Sequence, residues 1–382
     1  MPAIPAKAHA HRLLIAAALS DKPTAIHCPH VSEDILRTAE CLHALCAHVE
    51  RTDTGFTVTP RAPSMHPLLN VGESGSTYRF LLPVACALQV NPRFQLAGRL
   101  PSRPMDALQA EGNLTGGAFS LPGDVSSQFV SGLLLAAPLL SGLTLQLTTP
   151  LESKGYVDIT LDAMAQFGIK VVQDEGNYAL APGQGYASPG KAFTEGDWSN
   201  AAFFLCAAAA GHSHVTLTGL SLSSPQGDKA IVEMLRAFGA DVRAQGDHVS
   251  VHPAPLRPAQ IDITHTPDLA PALAVVCAAA EGTSTLVGTR RLKLKESDRS
   301  DTIAKTLEAL GGQVQQQENA LLMTGTGSLT GGVCDSYNDH RIAMMAACLS
   351  VLAKGDISLQ NPQAVSKSYP HFFEDFALLQ GI

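Results

Sequence analysis

SYNDHRIAMMAACLSVLA occupies residues 336–353, and whether it forms a surface helix or an enclosed one decides the fold. From Arg341 onward the run is apolar nearly all the way round. A helix built from it has no face to offer water and must be covered on every side. Five other runs share this character: RLLIAAAL (12–19), YRFLLPVACAL (78–88), FVSGLLLAAPLL (129–140), AAFFLCAAAA (201–210) and APALAVVCAAA (270–280). Each follows polar or glycine-containing residues suited to a helix start, namely KAHAH, GESGST, GDVSSQ, EGDWSN, THTPDL and SYNDH. Self-similarity at intervals of roughly 50 to 70 residues marks a repeat architecture.

A second pattern alternates with the first. CLHALCAHVERTDTGFTVTP, AMAQFGIKVVQDEGNYALAPG, MLRAFGADVRAQGDHVSVHP and TLEALGGQVQQQENALLMTG each read as an amphipathic helix, usually stopped by Gly, then a hairpin. Each unit therefore runs strand, buried helix, strand, surface helix, hairpin, and six such units make two domains of three. The boundary falls near GDWSN (196–200), after the Gly- and Pro-rich connector PGQGYASPGKAFTEGD. The expected class is α/β (α+β), two similar domains of three βαβαββ repeats each.

Composition narrows the function. The chain has 382 residues, 45% hydrophobic and 16% charged, which describes a well-buried protein of two or three domains. A net charge of −8 argues against nucleic acid and anionic membranes as partners, so an anionic ligand needs a local gathering of Lys and Arg. The eight cysteines contain no C-x-x-C pair and sit mostly in apolar runs, as reduced cytoplasmic thiols do. The apolar stretch 13–19 is short for a signal peptide and is followed by the charged DKP. No run reaches the ~20 uncharged residues of a membrane span. A cytoplasmic protein is expected, without a metal site.

The helix starts carry the chemistry. They offer Lys7 and Arg12; Gly72 to Gly75 with Arg79; Ser126, Ser127 and Gln128; Asp197 and Ser199; Asp268; and Asp339, His340 and Arg341. Parallel helices presenting these ends to one surface would bring together N–H groups, hydroxyls and guanidinium groups, each end adding a partial positive charge of ~0.5. Two such domains facing each other would form an anion-binding cleft. GRLPSRPMDAL (98–108), LESKGYVDITL (151–161), RRLKLKESDRSD (290–301) and VSKSYPHFFEDF (365–376) supply further candidates.

KAHAHRLLIAAAL, NVGESGSTYRFLLPVA, GRLPSRPM, GDVSSQFVSGLLLAAPLL, ESKGYVDITL, EGDWSNAAFFLCAAA, LKESDR and YNDHRIAMM occur in this order. Together they closely resemble the 5-enolpyruvylshikimate-3-phosphate synthase (EPSP synthase) family, over nearly the whole chain. The resemblance implies an inside-out α/β barrel in each domain, with domains 7–196 and 1–6 plus 197–382. It implies transfer of the enolpyruvyl group of phosphoenolpyruvate to the 5-hydroxyl of shikimate 3-phosphate, releasing phosphate, with glyphosate as a competitor. Carried over by motif, Lys7, Arg12, Ser126, Ser127, Gln128, Ser153, Asp268 and Lys295 would hold shikimate 3-phosphate. Lys7, Gly75, Arg103, Gln128, Arg299, Arg341 and Lys367 would hold phosphoenolpyruvate. Asp268 would accept the hydroxyl proton, Glu296 would handle the methyl proton, and Lys7 would serve the leaving phosphate. No cofactor is implied, and the chain is expected to act as a monomer.

Two departures bear on the site. Ala6 and Ala8 flank Lys7 where the family usually has serines, so a hydroxyl is missing: either His9 or His11 compensates, or binding is weaker. Arg291 stands where many members carry Asn. The sister transferase acting on UDP-N-acetylglucosamine uses a loop cysteine, and none occurs around Arg99 to Met105. A non-catalytic anion-binding relative is the remaining alternative; the retained Asp268, Glu296 and Lys367 speak against it. A nucleotide-dependent dehydrogenase would need a GxGxxG turn, which is absent.

Overall fold

All six apolar runs are helical in the computed structural model, which describes residues 1–103, 114–174 and 176–380. Met105, the rest of the 98–108 loop beyond Arg103, and Glu175 of the second hairpin lie outside the described residues. The helices are α1 (Lys7–Ala18), α2 (Glu33–Leu45), α3 (Gly75–Ala87), α4 (Ser127–Ala136) and α5 (Lys154–Gln166), then α6 (Trp198–Ala210), α7 (Ile231–Ala237), α8 (Ala270–Ala279), α9 (Arg299–Ala309), α10 (His340–Cys348) and α11 (Phe372–Gln380). The enclosed ones are α1, α3, α4, α6, α8 and α10. In α6 every residue except Ser199 is buried. Several begin a few residues earlier than the apolar runs, because polar caps extend them: Ser74, Ser126, Asp197 and Asp339 each accept a backbone N–H of the first turn. α1 has Ala6 at this position and no side-chain cap.

The chain forms two compact units, Pro5–Glu195 and Met1–Ile4 with Gly196–Ile382. Each has its own core, built on α1, α3 and α4 in one and α6, α8 and α10 in the other.

Within the first unit, strands Gly117–Leu121, Leu143–Leu147, Asn177–Leu180 and Val172–Asp174 lie side by side in that order, the first pair parallel and the rest antiparallel. With α4 and α5 they make one complete βαβαββ repeat. The repeat built on α1 and α2 borrows its first strand: Lys191–Phe193, from the far end of the unit, pairs in parallel with Ala25–His27. In the second unit the repeat around α8 and α9 is complete, with order Gln260–Asp262, Gly282–Val287, Ala320–Gly325, Gln313–Gln317. The repeat around α6 again borrows, through a parallel bridge from Pro2 to Thr218.

Two repeats differ from the six-fold scheme. Around α3 the described strands are only Leu68–Gly72 and Arg93–Leu96, and around α10 only Gly332–Asp335 and Ile357–Gln360. After the last of these come a 3-10 turn and α11, without a hairpin. The amphipathic-helix-and-hairpin signature occurs four times in the sequence, not six. Where it is missing, no described hairpin forms.

Candidate functional site

Why charged residues stand at the doorstep of buried helices becomes clear from their partners, taken one unit at a time. In the unit Pro5–Glu195 the first turns of five helices are tied together. Lys7 on α1 pairs with Asp34 on α2 at 2.7 Å. One turn further in, His11 Nδ1 meets the Thr38 hydroxyl at 2.6 Å, Thr38 meets Thr77 at 2.7 Å, and Thr77 meets Ser74 at 2.7 Å. Arg79 of α3 donates to Gln128 Oε1 at 2.7 Å, and the other end of that amide donates to Ser76 at 2.8 Å. Arg12 reaches Thr160 at 2.6 Å and the Tyr156 carbonyl at 2.8 Å on α5, and Ser131 on α4 at 3.3 Å. These bonds require neighbouring helices to start at the same level and run the same way. Their positive poles therefore share one face of the unit.

Arg12 is the electrostatic centre of that face. It is almost fully buried, its guanidinium lies over the Phe80 ring at 4.7 Å, and its hydrogen-bond partners among the described residues are all neutral. Burial pushes it down to about 9, with Tyr156 acting the other way. A buried cation held by hydroxyls and carbonyls stands ready for an anion. Gly75 opens α3 where a side chain would push the arginine ends aside: a Cβ there would lie 2.7 Å from Arg79 Nη1 and 3.0 Å from Arg103 Nη1. Its absence lets two guanidinium groups converge on the helix start. Ser126 caps α4, Ser127 is buried beside it, and Ser153 precedes α5 with a left-handed φ of 56°. Of the two histidines offered as compensation for the missing hydroxyl, His11 Nδ1 is buried against Thr38, and His9 Nδ1 accepts the Glu195 amide at 3.2 Å. His11 Nε2 is buried with no hydrogen-bond partner among the described residues.

The unit completed by Gly196–Ile382 repeats this logic with carboxylates. Arg299, at the start of α9, is a fully buried fork. Its Nε donates to Asp339 at 2.8 Å, Nη1 to Asp268 at 2.7 Å and Nη2 to Glu296 at 2.6 Å. Burial opposes its charge, yet Asp339, Glu296 and Asp268 outweigh that and raise its pKa. Lys295 sits 3.0 Å from Asp268, and Arg341 Nη2 lies 3.6 Å from the same carboxylate. Burial lowers the Lys295 pKa against the pull of Asp268, and Arg299 and Arg291 lower it further. Lys367 Nζ donates to the Asn338 carbonyl at 2.6 Å. Asp339 both caps α10, through the Arg341 amide at 2.9 Å, and anchors Arg299. Burial raises the Asp339 pKa and Glu296 adds to this, but the charge and hydrogen bond of Arg299, with His340, turn the net shift downward.

In this unit Asp268, Lys295, Glu296, Arg299 and Arg341 are thus brought into one cluster. Glu296 is ion-paired with Arg299 at 2.6 Å. The same guanidinium sets Asp268 and Glu296 side by side, so the pairing also aims two carboxylates. Residues that sequence reasoning did not place at the site are Asp34 and Asp228. Asp228 is buried, bonded to the Ser199 hydroxyl, and pushed up to about 6 by burial and by Asp268. Its signal was faint: a lone Gly-Asp in PQGDKA, ahead of a short helix. Among the described residues no group of three or more His, Cys, Asp or Glu side chains is placed to hold a metal ion.

Solved structures share the fold. An EPSP synthase from Acinetobacter baumannii matches with a TM-score of 0.81 at 23% identity, covering 99% of this chain and 95% of that one. The enolpyruvyl transferase NikO from Streptomyces tendae matches at 0.76 and 19% identity, covering 100% and 94%. The family model of EPSP synthase (3-phosphoshikimate 1-carboxyvinyltransferase) matches residues 3–111 and 108–376. Relatives named 3-phosphoshikimate 1-carboxyvinyltransferase include those of Clostridium novyi, 33% identical over 99% of this chain and 94% of its own length, and Clostridium perfringens, 36% identical over 99% and 95%. The chain belongs to the EPSP synthase family.

Proposed function

We propose that the protein transfers the enolpyruvyl group of phosphoenolpyruvate to the 5-hydroxyl of shikimate 3-phosphate and releases phosphate. The observation that carries this is the end-to-end similarity to relatives named for that reaction. The local chemistry agrees. Arg12 offers a buried cation to a phosphate ester, and Ser126, Ser127, Gln128 and Ser153, at the starts of α4 and α5, offer hydroxyls and an amide. Arg103 at Gly75, and Arg299, Arg341 and Lys367 in the other unit, are assigned to phosphoenolpyruvate. Lys7 serves both ligands, and Lys295 beside Asp268 serves shikimate 3-phosphate.

The reaction requires the alkene carbon to gain a proton while the hydroxyl loses one. The tetrahedral adduct must then shed phosphate and a methyl proton. Asp268 takes the hydroxyl proton. Glu296, on the adjacent arm of the Arg299 fork, exchanges the methyl proton. Lys7 neutralises charge on the departing phosphate. The partners are small molecules, and the chain is read as a cytoplasmic monomer. Among the described residues no helix is long and apolar enough to cross a membrane, and all eight cysteines are buried thiols.

Phosphate release from purified protein given both substrates tests the proposal. It should require shikimate 3-phosphate, and it should fall by orders of magnitude in Asp268→Ala and Glu296→Ala. Normal turnover in both variants would remove the assigned proton roles. No release by the parent would remove the reaction.

A further inference from the structure

Two loops at the carboxyl ends of the paired strands Gly332–Asp335 and Ile357–Gln360 hold backbone that side chains ordinarily avoid. Tyr337, Asn338 and Asn361 have φ of 52°, 55° and 54°. Asn tolerates the left-handed region, whereas a bulky Tyr there is strained. Strain of this kind persists only where surrounding bonds over-determine it.

The bonds come from Asp335 and Ser336. Asp335 Oδ1 accepts the Tyr337 amide at 2.7 Å in one loop, and the Asn361 side-chain amide reaches the same carboxylate at 3.2 and 3.4 Å from the other. Buried Ser336 donates its hydroxyl to the Asn361 carbonyl at 2.9 Å and accepts the Asn338 amide at 3.2 Å. What the two loops carry is the functional set. Asn361 opens the 3-10 turn that ends at Lys367, and Lys367 returns to the Asn338 carbonyl at 2.6 Å. The next residue, Asp339, seats the Arg299 fork.

We infer that Asp335 is a positioning residue that stitches these two left-handed loops together and so aims Lys367 at phosphoenolpyruvate. An ammonium has three donors, so a carbonyl anchor and a ligand oxygen can be held at once. The inference rests on the proposed reaction and adds to it a residue that touches no substrate. With the loops unstitched, Lys367 must be ordered again at each binding event. Freezing one long side chain corresponds to roughly a three- to tenfold loss of apparent affinity.

Steady-state kinetics of the full chain, with each substrate varied in turn, test this. Asp335→Ala should raise the KM for phosphoenolpyruvate by that factor and leave the KM for shikimate 3-phosphate near the parent's. Asp335→Asn, which keeps the acceptor for the Tyr337 amide, should restore most of the loss. Asn361→Gly keeps left-handed backbone at no steric cost and deletes the bridging amide; it should shift the same KM in the same direction. A change in melting temperature alone, equal shifts in both KM values, or an unaltered Asn361→Gly overturns the inference while the reaction stands. A parent without phosphoenolpyruvate-dependent turnover overturns both.

Discussion

Asp339→Asn tests the centre of the carboxylate cluster with the smallest possible change in shape. The carboxylate is fully buried and accepts four donors: Arg299 Nε at 2.8 Å, Arg299 Nη2 at 3.3 Å, Ser297 Oγ at 3.0 Å and the Arg341 amide at 2.9 Å. Either orientation of an amide turns an NH2 group toward an arginine N–H. Removing one partner of a buried ion pair costs about 3–5 kcal/mol. Asp268 and Glu296 still neutralise Arg299, so the expected loss lies near the lower end, ~3 kcal/mol. The sole tryptophan, Trp198, is fully buried in the same unit and reports its unfolding by fluorescence. With a urea slope of ~2 kcal/mol/M, the midpoint should drop by ~1.5 M at pH 7. The sign with pH follows from the lowered Asp339 pKa. Its contribution is present above the ordinary carboxylate range and fades as acid protonates the folded form, so parent and variant converge at low pH. A midpoint within ~0.3 M of the parent at pH 7 would refute the view that Asp339 anchors Arg299.

Two other outcomes follow from the electrostatics. Arg12→Met removes a buried cation whose described hydrogen-bond partners are neutral, so stability should hold or rise, while calorimetric binding of shikimate 3-phosphate should vanish; a large stability loss with binding intact would contradict the reading. Asp228, raised to about 6 by burial and by Asp268, favours the folded state when protonated, a benefit lost as pH rises between about 4 and 6. Asp228→Asn should therefore raise the urea midpoint at pH 8 by an amount corresponding to ~3 kcal/mol and leave it nearly unchanged at pH 4; the opposite order would contradict the assignment.

The enclosed helices were legible because an all-round apolar run such as AAFFLCAAAA has only one comfortable location. The complete hairpin repeats were legible because a Gly stop and a polar turn mark them locally. The repeats around α3 and α10 were not, since a repeat seen four times invites extension to six. The borrowed strands were hidden for another reason: Lys191–Phe193 pairs with residues far earlier in the chain, and three residues carry no periodicity. The charged motifs singled out Arg12, Asp268, Glu296 and Arg299 as candidates. The Arg299 fork was not foreseeable, because it depends on where three separate helix starts meet. Nor was Asp228, whose character comes from burial rather than from its neighbours in sequence.

The borrowed strands impose an order on synthesis. The sheet around Ala25–His27 gains its outer strand only when residues 191–193 have been translated, so the first unit is finished by its own last segment. Residues 1–4 are made before the unit Pro5–Glu195, yet their partners, Thr218 and Asp197, are made only after it. Met1–Ile4 therefore reach their native partners only once the whole intervening unit has been made.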